Sequence, residues 1–277
     1  MYDMRKLHSL LPVLLLAGSL ASAELKTDIE FARVGDVSLT LDAFVPEGTG
    51  PFPTAILVHG GGFTKGDKQT FIKPLFTPLS EAGFTWFTIN YRLAPTHRWP
   101  ACLKDVETAI RWVKTHAAEY KVDPNRIALI GESAGGHLVS MAGVRSHGDT
   151  SLAAVVPFYA PHDLNIQADK RHAIGPGLSG LFGIADEIND ANRKVLADAS
   201  PTNHLKTGIP PFLLIHGDKD EQVPYEQSPL FQARTKALGN RCDLITIPGG
   251  IHGMGGWEKL GSPYIKEMIA WLREVLK

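Results

Sequence analysis

The residues with the clearest chemical potential are 131–136, which read Gly-Glu-Ser-Ala-Gly-Gly and follow an apolar run at 127–130. The pattern predicts a buried strand that turns sharply into a helix at Ser133. The flanking glycines suit such a turn because the serine backbone is strained there and a neighbouring side chain would clash. The serine hydroxyl would lie at a helix N-terminus, where backbone amides and the helix dipole favour negative charge. A hydrolytic nucleophile needs this environment, although the same pentapeptide also occurs by chance in small-residue turns.

A glycine-rich loop earlier in the chain complements this serine. Residues 59–63 read His-Gly-Gly-Gly-Phe and follow an apolar run that ends at Val58. Consecutive glycines let backbone N–H groups approach a substrate oxygen and point at it, which is how an oxyanion hole is built. The loop and Ser133, in this order along the chain, favour a serine hydrolase over an unrelated flexible turn.

A serine nucleophile needs a general base, and the base needs a carboxylate that orients it. Of the 11 histidines, His252 is the best candidate because it lies in a glycine-flanked loop after the strand-like run 243–247. His216 also ends a strand-like run, but we interpret it as a structural residue that bonds to the following turn. Asp218 and Asp220 both lie in that turn, and we favour Asp220 because it lies further along the loop, toward His252.

The elements that must position these residues alternate between strands and helices. Helical patterns such as 103–118 and 227–238 lie among short apolar runs, which is typical of a parallel sheet covered by helices on both faces. The apolar runs are 56–58, 86–90, 127–130, 153–156 and 212–215. Residues 27–46 instead alternate apolar and polar positions, which predicts antiparallel strands with one wet face. The candidate residues all follow strands, where the sites of such sheets form.

The segment 162–205 interrupts this alternation. It contains a glycine-rich run at 175–183, after which we expect a polar helix. An insertion of this length after a sheet strand is often a lid or a pocket wall, and a plain surface excursion is the alternative. No second domain boundary is found, so residues 24–277 are predicted to form a single domain.

The composition and the first residues restrict the partners and the compartment. A formal net charge of −1 without basic runs argues against a nucleic-acid partner. Residues 1–23 begin with the basic Arg5 and Lys6, continue with an apolar stretch and end on Ala-Ser-Ala, which predicts a cleaved signal peptide. The apolar stretch is short for a membrane span, and Glu24 rather than a cysteine follows it. We therefore expect an exported protein without a stable membrane anchor, an uncleaved N-terminal helix being the alternative.

Cys102 and Cys242 are the only cysteines of the chain. They lie far apart in sequence, so we expect two buried free thiols, although an exported protein could form a disulfide. Two cysteines without clustered histidines argue against a zinc site. We expect no metal and no organic cofactor.

The order of glycine loop, serine, aspartate and histidine is that of the α/β-hydrolases. The chain resembles their carboxylesterase branch related to hormone-sensitive lipase, and within it the small bacterial esterases and the acetyl-xylan or feruloyl esterases. The resemblance covers about 27–277. The matching stretches are 59–63, 90–95, 99–101 followed by Asp105, 123–127, 131–138, 211–220 and 252–253.

This resemblance implies an α/β-hydrolase fold with a mostly parallel sheet of about eight strands and helices on both faces. It implies a catalytic triad of Ser133 as nucleophile, His252 as general acid and base, and Asp220 as the orienting carboxylate. It also implies an oxyanion hole formed by the backbone amides of Gly61, Gly62 and Ala134.

The activity implied is the hydrolysis of short-acyl carboxylic esters through an acyl-enzyme. The substrate would be a small-molecule ester or an esterified carbohydrate, such as an acetyl or feruloyl ester of a plant polysaccharide. An amidase, a formamidase or an exported peptidase on the same fold is the alternative, because these differ in the leaving group and not in the triad. A non-catalytic binding module is disfavoured because all three triad candidates are present.

The chain departs from the family's common pattern at two places. Thr96 and His97 stand where a glutamate usually follows the Tyr-Arg-Leu-Ala-Pro stretch, and the long N-terminal cap of the lipase-like members is missing. An exposed pocket for small acyl groups on a bulky alcohol is therefore expected. We interpret Arg92 and Asp105 as a structural ion pair that holds their loop to a helix.

Overall fold

A central sheet organises residues 22–277, the part of the chain that the computed structural model describes. The cleavage signal and apolar stretch predicted within residues 1–23 lie outside the described residues, except for the last two positions. The strands of the sheet are β1 (Glu24–Val34), β2 (Val37–Val45), β3 (Phe52–Val58), β4 (Thr85–Ile89), β5 (Val122–Glu132), β6 (Ala154–Phe158), β7 (Phe212–Gly217) and β8 (Cys242–Ile247).

The strand order across the sheet is β1-β2-β4-β3-β5-β6-β7-β8. The pairs β1·β2 and β2·β4 are antiparallel, and every other neighbouring pair is parallel. The predicted eight-stranded, mostly parallel sheet with an antiparallel N-terminal part is therefore confirmed. Its parallel strands end on one edge, which brings the loops after β3, β5, β7 and β8 together.

Helices cover both faces of this sheet, as predicted. They are α1 (Phe76–Glu81), α2 (Ala101–Thr115), α3 (Ala134–Val144), α4 (Leu164–Arg171), α5 (Pro176–Phe182), α6 (Asp190–Asp198), α7 (Gln227–Ala237) and α8 (Tyr264–Val275). None of the helices within residues 22–277 has the length and apolar character that crossing a bilayer requires.

The core has two layers because successive side chains of a strand point to opposite faces of the sheet. In β3, Ile56 and Val58 pack with one layer, which includes Leu138 of α3. Leu57 packs with the other layer, which includes Met268 of α8. A strand with both faces covered is apolar at every position, which explains the continuous apolar runs in the sequence.

Two smaller sequence predictions can be compared with the structure. Arg92 and Asp105 form an ion pair at 2.7 Å, which joins the loop after β4 to α2. Cys102 and Cys242 are both buried and unbonded.

The segment 162–205 folds into α4, α5 and α6. The glycine-rich run itself becomes α5, because Pro176 is favourable at the first position of a helix and Gly183 ends it in the left-handed conformation. The polar helix expected after this run is α6.

Candidate active site

Ser133 lies at a sharp turn between β5 and α3. Its backbone has φ 52° and ψ −116°, a strained conformation that L-residues rarely adopt. Such conformations are found preferentially at functional sites. Gly135 makes the turn feasible, since a Cβ there would lie 2.2 Å from the carbonyl oxygen of Val58. The start of α3 can therefore pack directly on the end of β3, and the serine side chain projects from the sheet edge.

The structure brings Ser133, His252 and Asp220 into one hydrogen-bonded chain. His252 Nε2 lies 3.0 Å from Ser133 Oγ, although the two residues are 119 positions apart in sequence. His252 Nδ1 lies 2.7 Å from Asp220 Oδ2. With Nδ1–H donating to the carboxylate, Nε2 is left to accept the serine proton.

Asp220 is held by more partners than the sequence predicts. Its Oδ1 accepts the backbone N–H groups of Gln222 at 2.8 Å and Val223 at 2.9 Å. Its Oδ2 also lies 3.2 Å from Nε2 of the buried His216. Burial opposes ionisation of this carboxyl, but the hydrogen bonds from His216 and His252 outweigh it and hold its pKa well below the usual range.

The alternative carboxylate has a different position. Asp218 is exposed, and its Oδ1 accepts the backbone N–H of Gly249 at 2.8 Å. It thus fixes the loop that leads to His252. The interpretation of His216 as a residue that bonds to the following turn agrees with its contact to the Val223 carbonyl at 3.1 Å, but its contact to Asp220 was not foreseen.

The three predicted oxyanion donors line the cavities that Ser133 also lines. Gly61 and Gly62 follow β3, and within residues 22–277 no backbone acceptor pairs with their N–H groups. Ala134 is the first residue of α3, where an N–H has no partner within the helix. Gly61 has φ +103°, and a Cβ there would lie 2.1 Å from the Lys65 carbonyl oxygen, so a glycine is needed at this position.

Two cavities meet at Ser133. The smaller cavity, of about 70 Å³, is lined by Gly62, Phe63, Ser133, Ala134, Pro161, Leu164, Gln167, Arg171, Gly177, Leu178 and Val223. The larger cavity, of about 800 Å³, is lined by His252 and Tyr159, by residues of the glycine loop and by residues 253–255. Residues of α4 and α5 line both cavities, so part of the segment 162–205 is a wall of the site.

The sequence match that decides the family spans residues 41–235, which fit the family model described as BD-FAE. The chain belongs to the BD-FAE family. The match includes the glycine loop, Ser133 and Asp220, whereas His252 lies beyond its end.

Sequence relatives of the chain are esterases by name. The probable carboxylic ester hydrolase LipM of Mycobacterium tuberculosis is 37% identical over 190 residues, which are 65% of this chain and 44% of LipM. The acetylxylan esterase of Xylanibacter ruminicola is 27% identical over 237 residues, 84% of this chain and 47% of that protein. The chain spans about half the length of these curated relatives.

Solved structures match over nearly the whole chain. A truncated carbohydrate esterase from gut microbiota is 27% identical with a TM-score of 0.78, over 93% of this chain and 97% of that one. The apo form of Thermogutta terrifontis esterase 2 is 26% identical with a TM-score of 0.75, over 95% and 98% of the two chains. These matches confirm the α/β-hydrolase fold that the sequence resemblance implied.

Glu132 is a residue of the site that the sequence reasoning missed. Its side chain is 4% exposed, lines the larger cavity and accepts the backbone N–H of Gly60. Burial raises the pKa of this carboxyl to about 7, against the lowering effects of Gly60, of the His252 charge and of the Tyr159 hydroxyl. A glutamate just after the buried apolar run 127–130 was the available signal, because a buried carboxyl needs a nearby donor.

We expect Glu132→Gln to lower kcat/KM for an ester on the order of tenfold at about pH 8 and much less at about pH 6. If His252 is the general base, the ionised carboxylate favours the imidazolium that forms on it, whereas at the lower pH the natural carboxyl is already protonated. Gln can still accept the Gly60 N–H, so the glycine loop should stay in place. Rates measured from pH 6 to 9 test this.

A melting-temperature measurement distinguishes this electrostatic effect of Glu132 on activity from a structural effect of the substitution. Because the pKa of Glu132 is raised from 4.5 to about 7, the native state loses stability as pH rises through that window. Glutamine removes this loss, so the variant should melt at the same or a higher temperature at about pH 8. A lower melting temperature that parallels the loss of activity would contradict the electrostatic role.

Proposed function

We propose that this protein is an exported serine esterase that hydrolyses short-acyl carboxylic esters, with acetyl esters of carbohydrates as its main substrates. The observation that carries the proposal is the hydrogen-bonded chain from Ser133 through His252 to Asp220, at 3.0 and 2.7 Å. Beside it lie backbone amides that have no backbone acceptor within residues 22–277. The names of the sequence relatives and structural neighbours support ester hydrolysis.

The mechanism is acyl transfer through a covalent intermediate. Ser133 Oγ transfers its proton to His252 Nε2 and attacks the ester carbonyl carbon, and the resulting oxyanion is bound by the amides of the glycine loop and of Ala134. His252 then protonates the leaving alcohol, and water attacks the acyl-enzyme with His252 as base. Each oxyanion donor is worth about 3 kcal/mol of barrier.

The position of His252 supports a different role for each cavity in binding the ester. The leaving oxygen must lie near His252 Nε2 to receive its proton, so the larger cavity, which His252 lines, holds the alcohol. The smaller cavity then holds the acyl group. Its volume of about 70 Å³ is less than a tenth of that of the larger cavity, about 800 Å³. This small space suits an acetyl group better than the ring and propenoyl chain of a feruloyl group, and we therefore favour acetyl over feruloyl esters.

The size of the larger cavity favours a bulky alcohol as the leaving group. About 800 Å³ is within the range of sites that enclose whole small ligands, and is large enough for a sugar unit. The acetylxylan esterase and the carbohydrate esterase among the matched proteins agree with this substrate class. Export rests on the signal-peptide pattern of residues 1–23 and suits a polymer that is too large to import.

The test is a series of initial rates on p-nitrophenyl esters from acetate to decanoate and on acetylated xylan. We expect kcat/KM to fall by more than about tenfold from acetate to octanoate, because the smaller cavity excludes long chains. Leu178→Ala enlarges that cavity and should raise the octanoate-to-acetate ratio. Acetic acid release from xylan supports a carbohydrate substrate.

Three results would contradict the proposal. One is a rate that rises toward decanoate, and another is the absence of a covalent adduct with a fluorophosphonate probe. The third is faster cleavage of p-nitroacetanilide than of p-nitrophenyl acetate, which would favour the amidase alternative.

A further inference from the structure

Two cationic side chains line the larger cavity. Lys65 follows the glycine loop and Arg171 is the last residue of α4, and both are exposed. Within residues 22–277 neither side chain has an Asp or Glu oxygen within 4.0 Å. The adjacent Lys170, by contrast, pairs with Glu226 at 3.8 Å. The two cations of the cavity are therefore available to a ligand.

Within residues 22–277, the negative charges near this cavity form no ion pair with either cation. Glu132 is the carboxylate among the described residues that line the cavity, and it is buried against the Gly60 N–H. Asp220 is bonded to His252 and attracts the Arg171 guanidinium from beyond ion-pair distance. A cavity with cations at its wall and low-dielectric protein beneath attracts anions more strongly than an open surface does.

Arg171 is held in place at the cavity wall. Its Nη2 donates to the carbonyl oxygen of Gln222 at 2.7 Å, and the buried Gln167 donates to the same oxygen at 2.6 Å. A guanidinium has five N–H donors, so most remain free for a carboxylate. An anchored guanidinium loses less freedom on binding than a mobile one does.

An aromatic side chain completes this wall. The ring of Phe71 is 48% exposed and lines the same cavity. It offers an apolar face on which a sugar or aromatic ring can pack. Phe71 and Lys65 line the larger cavity and not the smaller one, so they face the alcohol part of the ester. Arg171 lines both cavities and therefore lies where the two meet.

We propose that the larger cavity selects esters whose alcohol part is a ring that carries a carboxylate. Lys65 and Arg171 bind the carboxylate, and Phe71 packs against the ring. Uronic-acid sugars and hydroxyaromatic acids share this chemistry. The inference rests on the proposed esterase function and specifies its leaving group.

The experiment compares two acetyl esters that differ in one charge, 4-acetoxybenzoate and 4-acetoxybenzamide. Each kcat/KM is divided by the rate constant for hydroxide hydrolysis, which removes the difference in leaving-group reactivity. In low-salt buffer we expect a corrected preference for the carboxylate on the order of tenfold. About 0.5 M sodium chloride should remove most of it, because exposed charges are screened. Arg171→Gln and Lys65→Gln should each reduce the ratio, and the double variant should abolish it.

Lys170→Gln is the matched control, because it removes the same charge from the adjacent position outside the cavity and should leave the ratio unchanged. A ratio of one or less in the natural protein, or a ratio unaffected by both cavity variants, would overturn the inference while leaving the esterase function intact. Failure to cleave either probe, with no fluorophosphonate adduct, would instead overturn the esterase function itself.

Two polymers distinguish the two sources of the carboxylate. Faster acetic acid release from acetylated polygalacturonate than from acetylated xylan supports uronic-acid sugars as the substrates. A preference retained on the aromatic probes but absent on the polymers supports hydroxyaromatic acids.

Discussion

Replacement of Ser133 by alanine should lower kcat for p-nitrophenyl acetate by roughly 10⁶-fold. The variant lacks the proposed nucleophilic oxygen, while His252, Asp220 and the proposed oxyanion amides remain in place. Those groups leave a residual acceleration of about 10³–10⁴ over water. Fold stability should change little, because His252 Nε2 is the side-chain partner of Ser133 Oγ among the described residues and His252 keeps its bond to Asp220.

The measurement pairs initial rates with mass spectrometry after fluorophosphonate treatment. We expect one covalent adduct on the natural protein and none on Ser133→Ala. Ser140→Ala is the matched control: Ser140 is a buried serine of the same helix that donates to the Gly136 carbonyl at 2.8 Å, away from His252. An adduct that persists in Ser133→Ala would show that another group is the nucleophile. Activity lost equally in Ser140→Ala would show that the loss is not specific to Ser133.

The grouping of Ser133, Asp220 and His252 was accessible from sequence for a local reason. Each follows an apolar run, and parallel strands end on the same edge of their sheet, so residues 119 positions apart come within hydrogen-bond distance. The glycines on either side of Ser133, Gly131 and Gly135, predict the sharp turn from the local sequence alone. The order of the strands across the sheet was not needed to group these residues, because all parallel strands end on the same edge.

The features that the sequence did not reveal depend on tertiary packing. Whether Glu132 is ionised depends on its burial against Gly60, and whether Arg171 lacks a carboxylate depends on which acidic residues other loops bring near it. The segment 162–205 was also difficult, because α4 and α5 have only 8 and 7 residues and are stabilised mainly by packing. The glycine-rich run 175–183 was not itself predicted to be a helix, although most of it folds as α5.

The second large effect is expected for Asp220→Asn, which should lower kcat by about 10⁴-fold. The amide oxygen is required by the N–H groups of Gln222 and Val223, so the amide nitrogen takes the position that faces His216 and His252. That nitrogen donates and cannot accept. His252 Nδ1 must then become the acceptor, and Nε2 carries the proton, so it cannot take the proton of Ser133.

Asp218→Asn is the control for this substitution, because its exposed carboxylate contacts Gly249 and not His252, and activity should stay within about threefold. Stability adds a second readout. The pKa of Asp220 is depressed in the folded state, so its contribution is present above the ordinary carboxyl pKa and is lost as pH falls below it. The melting-temperature difference between the natural protein and Asp220→Asn should therefore be largest near neutral pH and shrink in acid. If Asp218→Asn shows the large loss of activity and Asp220→Asn does not, the orienting carboxylate is Asp218.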